Sequence, residues 1–287
     1  MSSHSKPRGV LIPIGGGEDR GEETTPRLPY EQKGVLKHVL DKAKGSNSKV
    51  VLVTSASSVP DEVCATYKFG FNRLGCISLI HYHITEKEEC NQETLLKDFA
   101  EADVVMFSGG NQAKIPKRIR ETKLHDLLKE RYWNEPLVIA GTSAGAMAMS
   151  EFMVAGGSAS EAFYKGAVKM KTGLGFIPEL IIDTHFVRRG RFGRLAEAVA
   201  VHPQCVGIGL AEDTGVIIED GDHFTVIGSG MAIVMDPRGI THNNHSVLKN
   251  GTLMSMTNLT THLLSNGDKF RLSDHSTKVL PMGQSFI

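Results

Sequence analysis

The sequence has no long hydrophobic run. None of its segments reaches the roughly 18 consecutive apolar residues of a membrane-spanning helix. The first apolar segment covers only residues 10–14 before glycines interrupt it, which is too short for the hydrophobic region of a secretory signal. We therefore expect a cytoplasmic protein with no membrane partner.

Cysteine and net charge are also scarce. The chain has 4 cysteines and no C-x-x-C pair, which is typical of free thiols in a reducing compartment rather than of a disulfide framework. Its 32 Lys and Arg residues balance 32 Asp and Glu residues, so no overall field favours a nucleic-acid partner. By contrast, the 30 glycines exceed average usage and predict many tight turns.

Strand and helix patterns alternate through the first half of the chain. The predicted strands are residues 10–14, 49–55, 76–82, 104–108 and 137–140. The predicted helices are residues 31–44, 60–74, 91–101 and 115–132. This alternation predicts an α/β fold with a mostly parallel central sheet and helices on both faces. Short apolar segments separated by turns after Gly215 predict a C-terminal antiparallel extension. We expect one domain over residues 1–287, with residues 1–8 flexible.

The segment around Ser143 carries the strongest chemical signal. Residues 141–145 fit G-x-S-x-G between a strand and a helix, the pattern of a strained corner that exposes a nucleophilic serine. The string alone also occurs wherever a helix packs closely on a sheet. Because parallel strands end at one edge, the turn of Gly110 should lie beside Ser143. Backbone N–H groups of Gly110 and Ala144 would then form an oxyanion hole, with the Gln112 amide orienting substrate.

The first glycine-rich turn, residues 15–17, does not match a nucleotide motif. Arg20 occupies the third glycine position of G-x-G-x-x-G, and the G-x-x-x-x-G-K-[ST] phosphate loop is absent. The glycines permit close approach of a ligand, with Glu18 and Asp19 available to meet a cation, although a simple turn fits equally well.

A catalytic serine needs a base and an acid that orients the base. His185 follows an apolar run at a predicted strand end, and either Glu212 or Asp213, at the end of a later strand, would supply the acid. Four arginines follow His185 within seven residues (188–194), and guanidinium groups bind carboxylates well. The substrate is therefore expected to carry carboxylates. His81 and His83 lack a third ligand, so no metal site or cofactor is predicted.

The order Ser143, His185, Glu212 differs from that of α/β-hydrolases, in which the acid precedes the histidine. With the motifs at 14–19, 108–112, 141–146, 183–194 and 209–213, the sequence resembles the cyanophycinases of the S51 serine peptidases, relatives of aspartyl dipeptidase. That resemblance implies a class I glutamine-amidotransferase-like (flavodoxin-like) fold, a homodimer, and hydrolysis of β-aspartyl-arginine links in cyanophycin with release of the dipeptide. It implies Ser143 as nucleophile, His185 as base and Glu212 as its orienting acid. The residues that it implies for the substrate site are Gln112, Asp183, Arg189, Arg191 and Arg194.

One position departs from the family pattern. Thr184 stands where these enzymes carry glutamine, so we expect hydrolysis to be preserved and a substrate contact to be altered. An isoaspartyl or aspartyl dipeptidase acting on small peptides is the alternative. A glutaminase subunit of this fold should carry cysteine at Ser143, and a non-catalytic binding protein should tolerate loss of a triad member.

Overall fold

The computed structural model describes residues 6–157 and 163–287. Of the eight N-terminal residues predicted to be flexible, residues 1–5 lie outside that part. The helices are α1 Tyr30–Lys33, α2 Val35–Asp41, α3 Pro60–Arg73, α4 Glu93–Glu101, α5 Lys114–Ile119, α6 Lys123–Asn134, α7 Ala144–Met147 and α8 Phe192–Val201. The strands are β1 Val10–Ile14, β2 Val50–Val53, β3 Leu79–Tyr82, β4 Val104–Phe107, β5 Val138–Thr142, β6 Phe152–Gly156, β7 Lys169–Thr172, β8 Leu180–Asp183, β9 Val206–Leu210, β10 Thr214–Glu219, β11 His223–Gly228, β12 Met231–Asp236, β13 His242–Asn243, β14 Met256–Thr257, β15 Thr260–Ser265, β16 Lys269–Arg271 and β17 Thr277–Lys278.

The main sheet has nine strands in the order β17-β16-β11-β10-β1-β5-β4-β2-β3. The five strands from β1 to β3 in this order pair in parallel, and the four strands on the other side of β1 pair antiparallel. The predicted α/β fold, with a parallel sheet and a C-terminal antiparallel extension, is confirmed. The carboxyl ends of β1, β4 and β5 meet at one edge, so the three glycine-rich turns are neighbours.

The parallel strands β1, β2, β4 and β5 bury both faces, because helices cover the sheet on either side, whereas the edge strand β3 is partly exposed. Alternate residues of β1 enter different apolar clusters: Leu11 packs on the side of α4 and α6, whereas Ile12 packs on the side of α2 and α3. Val105 and Met106 of β4 divide in the same way. This alternation follows from the two-residue period of a strand and explains why the strands are continuously apolar.

A second sheet has four strands in the order β15-β12-β9-β8. Its residues Ile208 and Leu210 belong to the same apolar cluster as Leu11, so the second sheet packs against one face of the first. β8 and β9 pair in parallel, joined by α8. Sequence periodicity predicted these strands but gave no indication that they form a separate sheet. His185 and Glu212 follow β8 and β9, and both therefore come from this second sheet.

Two predicted helices are interrupted. Segment 31–44 breaks at Gly34, whose extended backbone separates α1 from α2 and where a Cβ would lie 2.6 Å from the Tyr30 carbonyl oxygen. Segment 115–132 breaks at Glu121, which has φ of 61°, before the Thr122 hydroxyl caps α6 by accepting from the N–H of His125. Within residues 6–157 and 163–287, no helix combines the length and apolarity that crossing a bilayer requires.

Candidate active site

Ser143 occupies a strained corner between β5 and α7. Its backbone angles, φ of 52° and ψ of −109°, lie outside the regions that residues other than glycine normally adopt. The flanking glycines are needed on steric grounds: a Cβ on Gly141 would lie 2.6 Å from the carbonyl carbon of Gly145, and a Cβ on Gly145 would lie 2.3 Å from the oxygen of Phe107. The corner therefore has the geometry that G-x-S-x-G predicts, and such strain concentrates at functional sites.

The structure brings Ser143, His185 and Glu212 together. The Ser143 hydroxyl lies 3.1 Å from Nε2 of His185, and the other ring nitrogen, Nδ1, lies 3.1 Å from Oε1 of Glu212. Because a carboxylate only accepts, Nδ1 carries the proton and Nε2 is free to accept from the serine. Asp213 points elsewhere, accepting from the backbone N–H of Asp19 at 3.2 Å and from the Ser229 hydroxyl at 2.6 Å. Of the two acids left open by the sequence, Glu212 reaches the histidine.

The first glycine-rich turn, residues 15–17, packs against His185 and Glu212. The carbonyl oxygen of Gly15 accepts from the N–H of His185 at 2.8 Å, and that of Gly16 accepts from the N–H of Asp213 at 3.0 Å. A Cβ on Gly16 would lie 2.5 Å from the His185 ring, and one on Gly17 would lie 3.2 Å from Cγ of Glu212. The close approach that these glycines permit is therefore to the side chains of His185 and Glu212.

The environment of His185 favours its neutral form. Burial is the largest influence and lowers the pKa of the imidazole, and the nearby Arg189 and Arg191 lower it further. The hydrogen bond and charge of Glu212 raise the pKa but do not outweigh these effects. The pKa of His185 therefore lies below its ordinary value of about 6.5, and the ring is ready to accept a proton at neutral pH.

The turn after β4 lies against the serine. A Cβ on Gly109 would lie 3.5 Å from the Cβ of Ser143. Gly110 has φ of 136°, and a Cβ there would lie 2.1 Å from the carbonyl oxygen of Ala56. Ala144 is the first residue of α7, so its N–H has no partner within the helix. The Gln112 amide nitrogen donates to the Val154 carbonyl at 3.2 Å, which attaches this turn to β6.

Asp183 lies behind the site rather than in it. Its carboxylate is fully buried and accepts from Nε of Arg194 at 2.8 Å, from Arg191 at 3.3 Å and from the N–H of Thr184 at 2.7 Å. Arg194 is itself only 4% exposed. The Asp183 carboxylate and Arg194 pair with each other, and both are buried. Their expected role in the substrate site stays a prediction; in this structure they hold the segment that leads to His185.

Thr184 is also enclosed by protein. Its side chain is fully buried and its hydroxyl lies 3.3 Å from Sδ of Met147 in α7. The threonine thus packs under α7, and the expectation that it alters a substrate contact stays a prediction. Arg191 is half-buried, with one guanidinium nitrogen on the Thr184 carbonyl at 2.6 Å, whereas Arg189 is exposed.

Glu18 forms a buried network beneath Ser143. Its carboxylate accepts from the hydroxyls of Thr142 and Tyr67, each at 2.6 Å, and from Nη2 of Arg20 at 3.0 Å. Burial alone would raise the pKa of Glu18, but Arg20 and the two hydroxyls together lower it below the ordinary value. Arg20 already pairs with this carboxylate, and the expectation that Glu18 meets a substrate cation stays a prediction. In this structure the Glu18 carboxylate supports the strand end that carries Ser143.

A cleft of about 660 Å³ opens beside Glu212. Carboxylates of Asp19 and Glu23 and guanidinium groups of Arg27 and Arg188 all line it. Sequence reasoning noted Asp19 and the arginine run, but it missed Glu23 and Arg27, which lie in a segment that showed only loop composition. The cleft can therefore bind a ligand that carries both a cation and an anion.

Comparison with known proteins identifies relatives over most of the chain. The model of peptidase family S51 matches residues 22–227. A cyanophycinase of Trichormus variabilis is 33% identical over 272 residues, covering 95% of this chain and 88% of the relative. A cyanophycinase of Synechococcus elongatus is 30% identical over 275 residues, covering 96% of this chain and 83% of the relative.

Solved structures show the same fold at lower identity. A peptidase from an acI-B1 Actinobacterium superposes with a TM-score of 0.63 at 17% identity, covering 91% of this chain and 98% of that one. A putative peptidase E from Listeria monocytogenes superposes with a TM-score of 0.52 at 15% identity, covering 77% of this chain and 99% of that one.

Proposed function

The chain belongs to peptidase family S51 and is a serine peptidase, and we propose that it degrades cyanophycin from a chain end, releasing β-Asp-Arg dipeptides. Cyanophycin is a poly-aspartate chain with arginine attached to each side chain. The observation that carries the proposal is the hydrogen-bonded chain from Ser143 through His185 to Glu212, placed beside a cleft of mixed charge. The identity with cyanophycinases supports the choice of substrate.

The product defines which bond breaks. A dipeptide that retains its β-link between aspartate and arginine leaves the polymer only when the backbone amide between adjacent aspartates is cut. This requirement corrects the expectation that the β-aspartyl-arginine link itself is hydrolysed. Each unit of the substrate keeps one guanidinium and one free carboxylate, and the cleft beside Glu212 offers partners of both signs.

Ser143 acts as the nucleophile in this mechanism. His185 Nε2 takes the hydroxyl proton while Oγ forms a bond to the backbone carbonyl carbon. The same proton then passes to the departing amide nitrogen, the carbon–nitrogen bond breaks, and an ester on Ser143 remains. A water molecule, deprotonated by His185, attacks this ester and releases the acid product. Each proton that His185 accepts is returned within the same half-reaction, so the enzyme regenerates itself without a cofactor.

Backbone N–H groups stabilise the negative charge that develops on the carbonyl oxygen. We assign this role to Gly110 and Ala144, which flank Ser143 from the β4 turn and from the start of α7. Because backbone donors are fixed before the reaction, they require no reorganisation as the charge forms. Gln112 acts indirectly by attaching the β4 turn to β6.

Exposed groups around the triad remain for substrate binding. Arg189 lies in the loop after His185 and is exposed, and Arg188 lines the mixed-charge cleft. We propose that these two side chains bind substrate carboxylates, whereas Asp19 and Glu23 bind the arginine guanidinium. Homodimer formation and a cytoplasmic location, expected from the sequence, are part of the same proposal.

Product analysis tests the substrate assignment. We expect the purified protein to release β-Asp-Arg from insoluble cyanophycin, with no free arginine, and mass spectrometry of the soluble products measures both. Small α- and β-aspartyl dipeptides serve as competing substrates. Cleavage of the small peptides with an intact polymer would assign the chain to the dipeptidase alternative, and free arginine would mean that the side-chain link is the one cut.

The pH dependence of kcat/KM tests His185. Because the base must be neutral and its pKa lies below about 6.5, we expect activity to rise with pH and to reach half its maximum below pH 6.5. Initial rates in constant-ionic-strength buffers from pH 4.5 to 8 measure the profile.

Two variants should move the midpoint of this profile in opposite directions. Arg189→Gln removes a cation that lowers the His185 pKa, so the midpoint should rise. Glu212→Gln removes an anion that raises this pKa, so the midpoint should fall while kcat also falls. A profile that is flat through this range, or shifts with the same sign in both variants, would remove His185 from the role of base.

A further inference from the structure

A second cleft, of about 600 Å³, contains cationic groups and no carboxylate. It lies between α5 and β7, and its charged lining residues are Lys114, Lys117, Arg120 and Lys171. We call it the lysine cleft. Arg120 is partly neutralised by Glu151 at 3.4 Å. Within residues 6–157 and 163–287, no carboxylate lies within 4.0 Å of the ammonium group of any of the three lysines. Three positive charges without a paired carboxylate around one concavity favour an anion over a cation there.

The lysine cleft begins next to the nucleophile. Asn111 lines it, and this residue follows Gly110 in the turn that lies against Ser143. Gly109, whose Cβ position is 3.5 Å from that of Ser143, is only two residues away. Consecutive Cα atoms are about 3.8 Å apart, so at most about 8 Å separates the edge of the cleft from the backbone beside the serine.

The walls of the lysine cleft are held to the catalytic turn. Gln112 donates to the Val154 carbonyl of β6, and β6 pairs with β7, which carries Lys171 opposite Met153. These contacts connect the backbone that carries the lysines to the turn beside Ser143. A chain that occupies the active site and continues across the β4 turn would place its next groups against these lysines.

We propose that the lysine cleft binds the carboxylates of substrate units beyond the one being released. This inference rests on the proposed function, because it assumes a substrate that continues past the scissile bond with one free carboxylate per unit. The cleft carries only positive charge, whereas the cleft beside Glu212 carries both signs. The lysine cleft would retain the polymer through its carboxylates, and the cleft beside Glu212 would recognise the complete zwitterionic unit.

A triple variant tests the lysine cleft. Lys114→Gln, Lys117→Gln and Lys171→Gln together should raise KM for cyanophycin about 3- to 100-fold, because each exposed ammonium–carboxylate contact changes affinity by about 1.4- to 5-fold. The kcat for a substrate of two β-Asp-Arg units should stay unchanged, since these lysines do not touch the reacting atoms. The matched control changes three exposed lysines that do not line the cleft, Lys68→Gln, Lys129→Gln and Lys249→Gln, with the same loss of charge.

A binding measurement separates this inference from the proposed function. Soluble poly-aspartate should bind the Ser143→Ala protein, more weakly at high salt, and the triple cleft variant should bind it several-fold less tightly than the control triple variant. Equal poly-aspartate affinity and equal polymer KM in the two triple variants would overturn the lysine cleft as a carboxylate site. Tight binding of single-stranded DNA without binding of poly-aspartate would also overturn it, in favour of a phosphate polymer. Failure of the wild-type protein to degrade cyanophycin would instead reject the proposed function, and the poly-aspartate comparison would still decide the cleft.

Discussion

Replacing Ser143 with alanine should lower kcat by at least about 10,000-fold and leave the fold intact. The Ser143 hydroxyl is the group within hydrogen-bond distance of the free nitrogen of His185, so its removal eliminates the proposed attacking atom. Alanine keeps the Cβ that already tolerates φ of 52°, and therefore adds no strain at the corner. Any activity that remains would come from the oxyanion donors and from substrate binding alone.

Three measurements on the Ser143→Ala variant separate a loss of turnover from a loss of folding or of binding. Product release from cyanophycin reports turnover, circular dichroism and thermal melting report the fold, and sedimentation with the insoluble polymer reports binding. Ser58→Ala is the matched control, because Ser58 is an exposed serine that belongs to none of the hydrogen bonds of the site. We expect wild-type turnover from it. More than about a tenth of normal turnover in the Ser143 variant would mean that another group attacks the substrate.

Replacing Asp183 with alanine should destabilise the protein by about 3–5 kcal/mol, because removing one partner leaves a buried charge without compensation. Arg194 donates twice to this carboxylate and is 4% exposed, so its guanidinium would stay in the interior unpaired. The loss also frees the N–H of Thr184, directly before His185. Activity should therefore fall together with stability. Denaturant unfolding measures the first, and initial rates below the transition measure the second.

A double variant distinguishes this explanation from direct substrate binding. Asp183→Leu with Arg194→Met replaces both charged partners by apolar groups, and we expect it to be more stable than Asp183→Ala alone. Asp220→Ala is the surface control: its ion pair with Lys6 is exposed on both sides, so its change in stability should stay near zero. Should Asp183→Ala unfold like the wild type and change only KM, the carboxylate would contact substrate, as the family resemblance first implied.

Local sequence patterns predicted the parts of this site that depend on chain geometry. Continuous apolar runs ending in glycines located the edge where Gly110 and Ser143 meet, because parallel strands place their carboxyl ends together. The G-x-S-x-G string predicted the corner at Ser143, since its glycines are sterically required. For the acid, the residue pattern alone left Glu212 and Asp213 open, and the family resemblance favoured Glu212. Only the path of the chain after β9 decides which of these adjacent carboxylates faces His185.

The sequence did not predict which polar side chains near the site are buried. Asp183 and Thr184 lie beside His185 and Glu18 follows the first glycine-rich turn, and these positions together with the family resemblance suggested substrate contact. All three side chains are enclosed, because β8 belongs to a second sheet and the strand end of β1 is covered by Tyr67 from α3. Such contacts join residues 37 to 124 positions apart, and no local pattern encodes them.

Ser143 and His185, the proposed nucleophile and its proposed base, come from different sheets. Ser143 follows β5 of the nine-stranded sheet, whereas His185 follows β8 of the four-stranded sheet, and the Gly15 carbonyl joins the two by accepting from the His185 N–H. A shift of about 1 Å between catalytic groups can cost about 100-fold in rate. The reaction rate at Ser143 therefore depends on the relative position of the two sheets. Any bound molecule or substitution that shifts one sheet relative to the other would lower the turnover rate without contacting Ser143, His185 or Glu212.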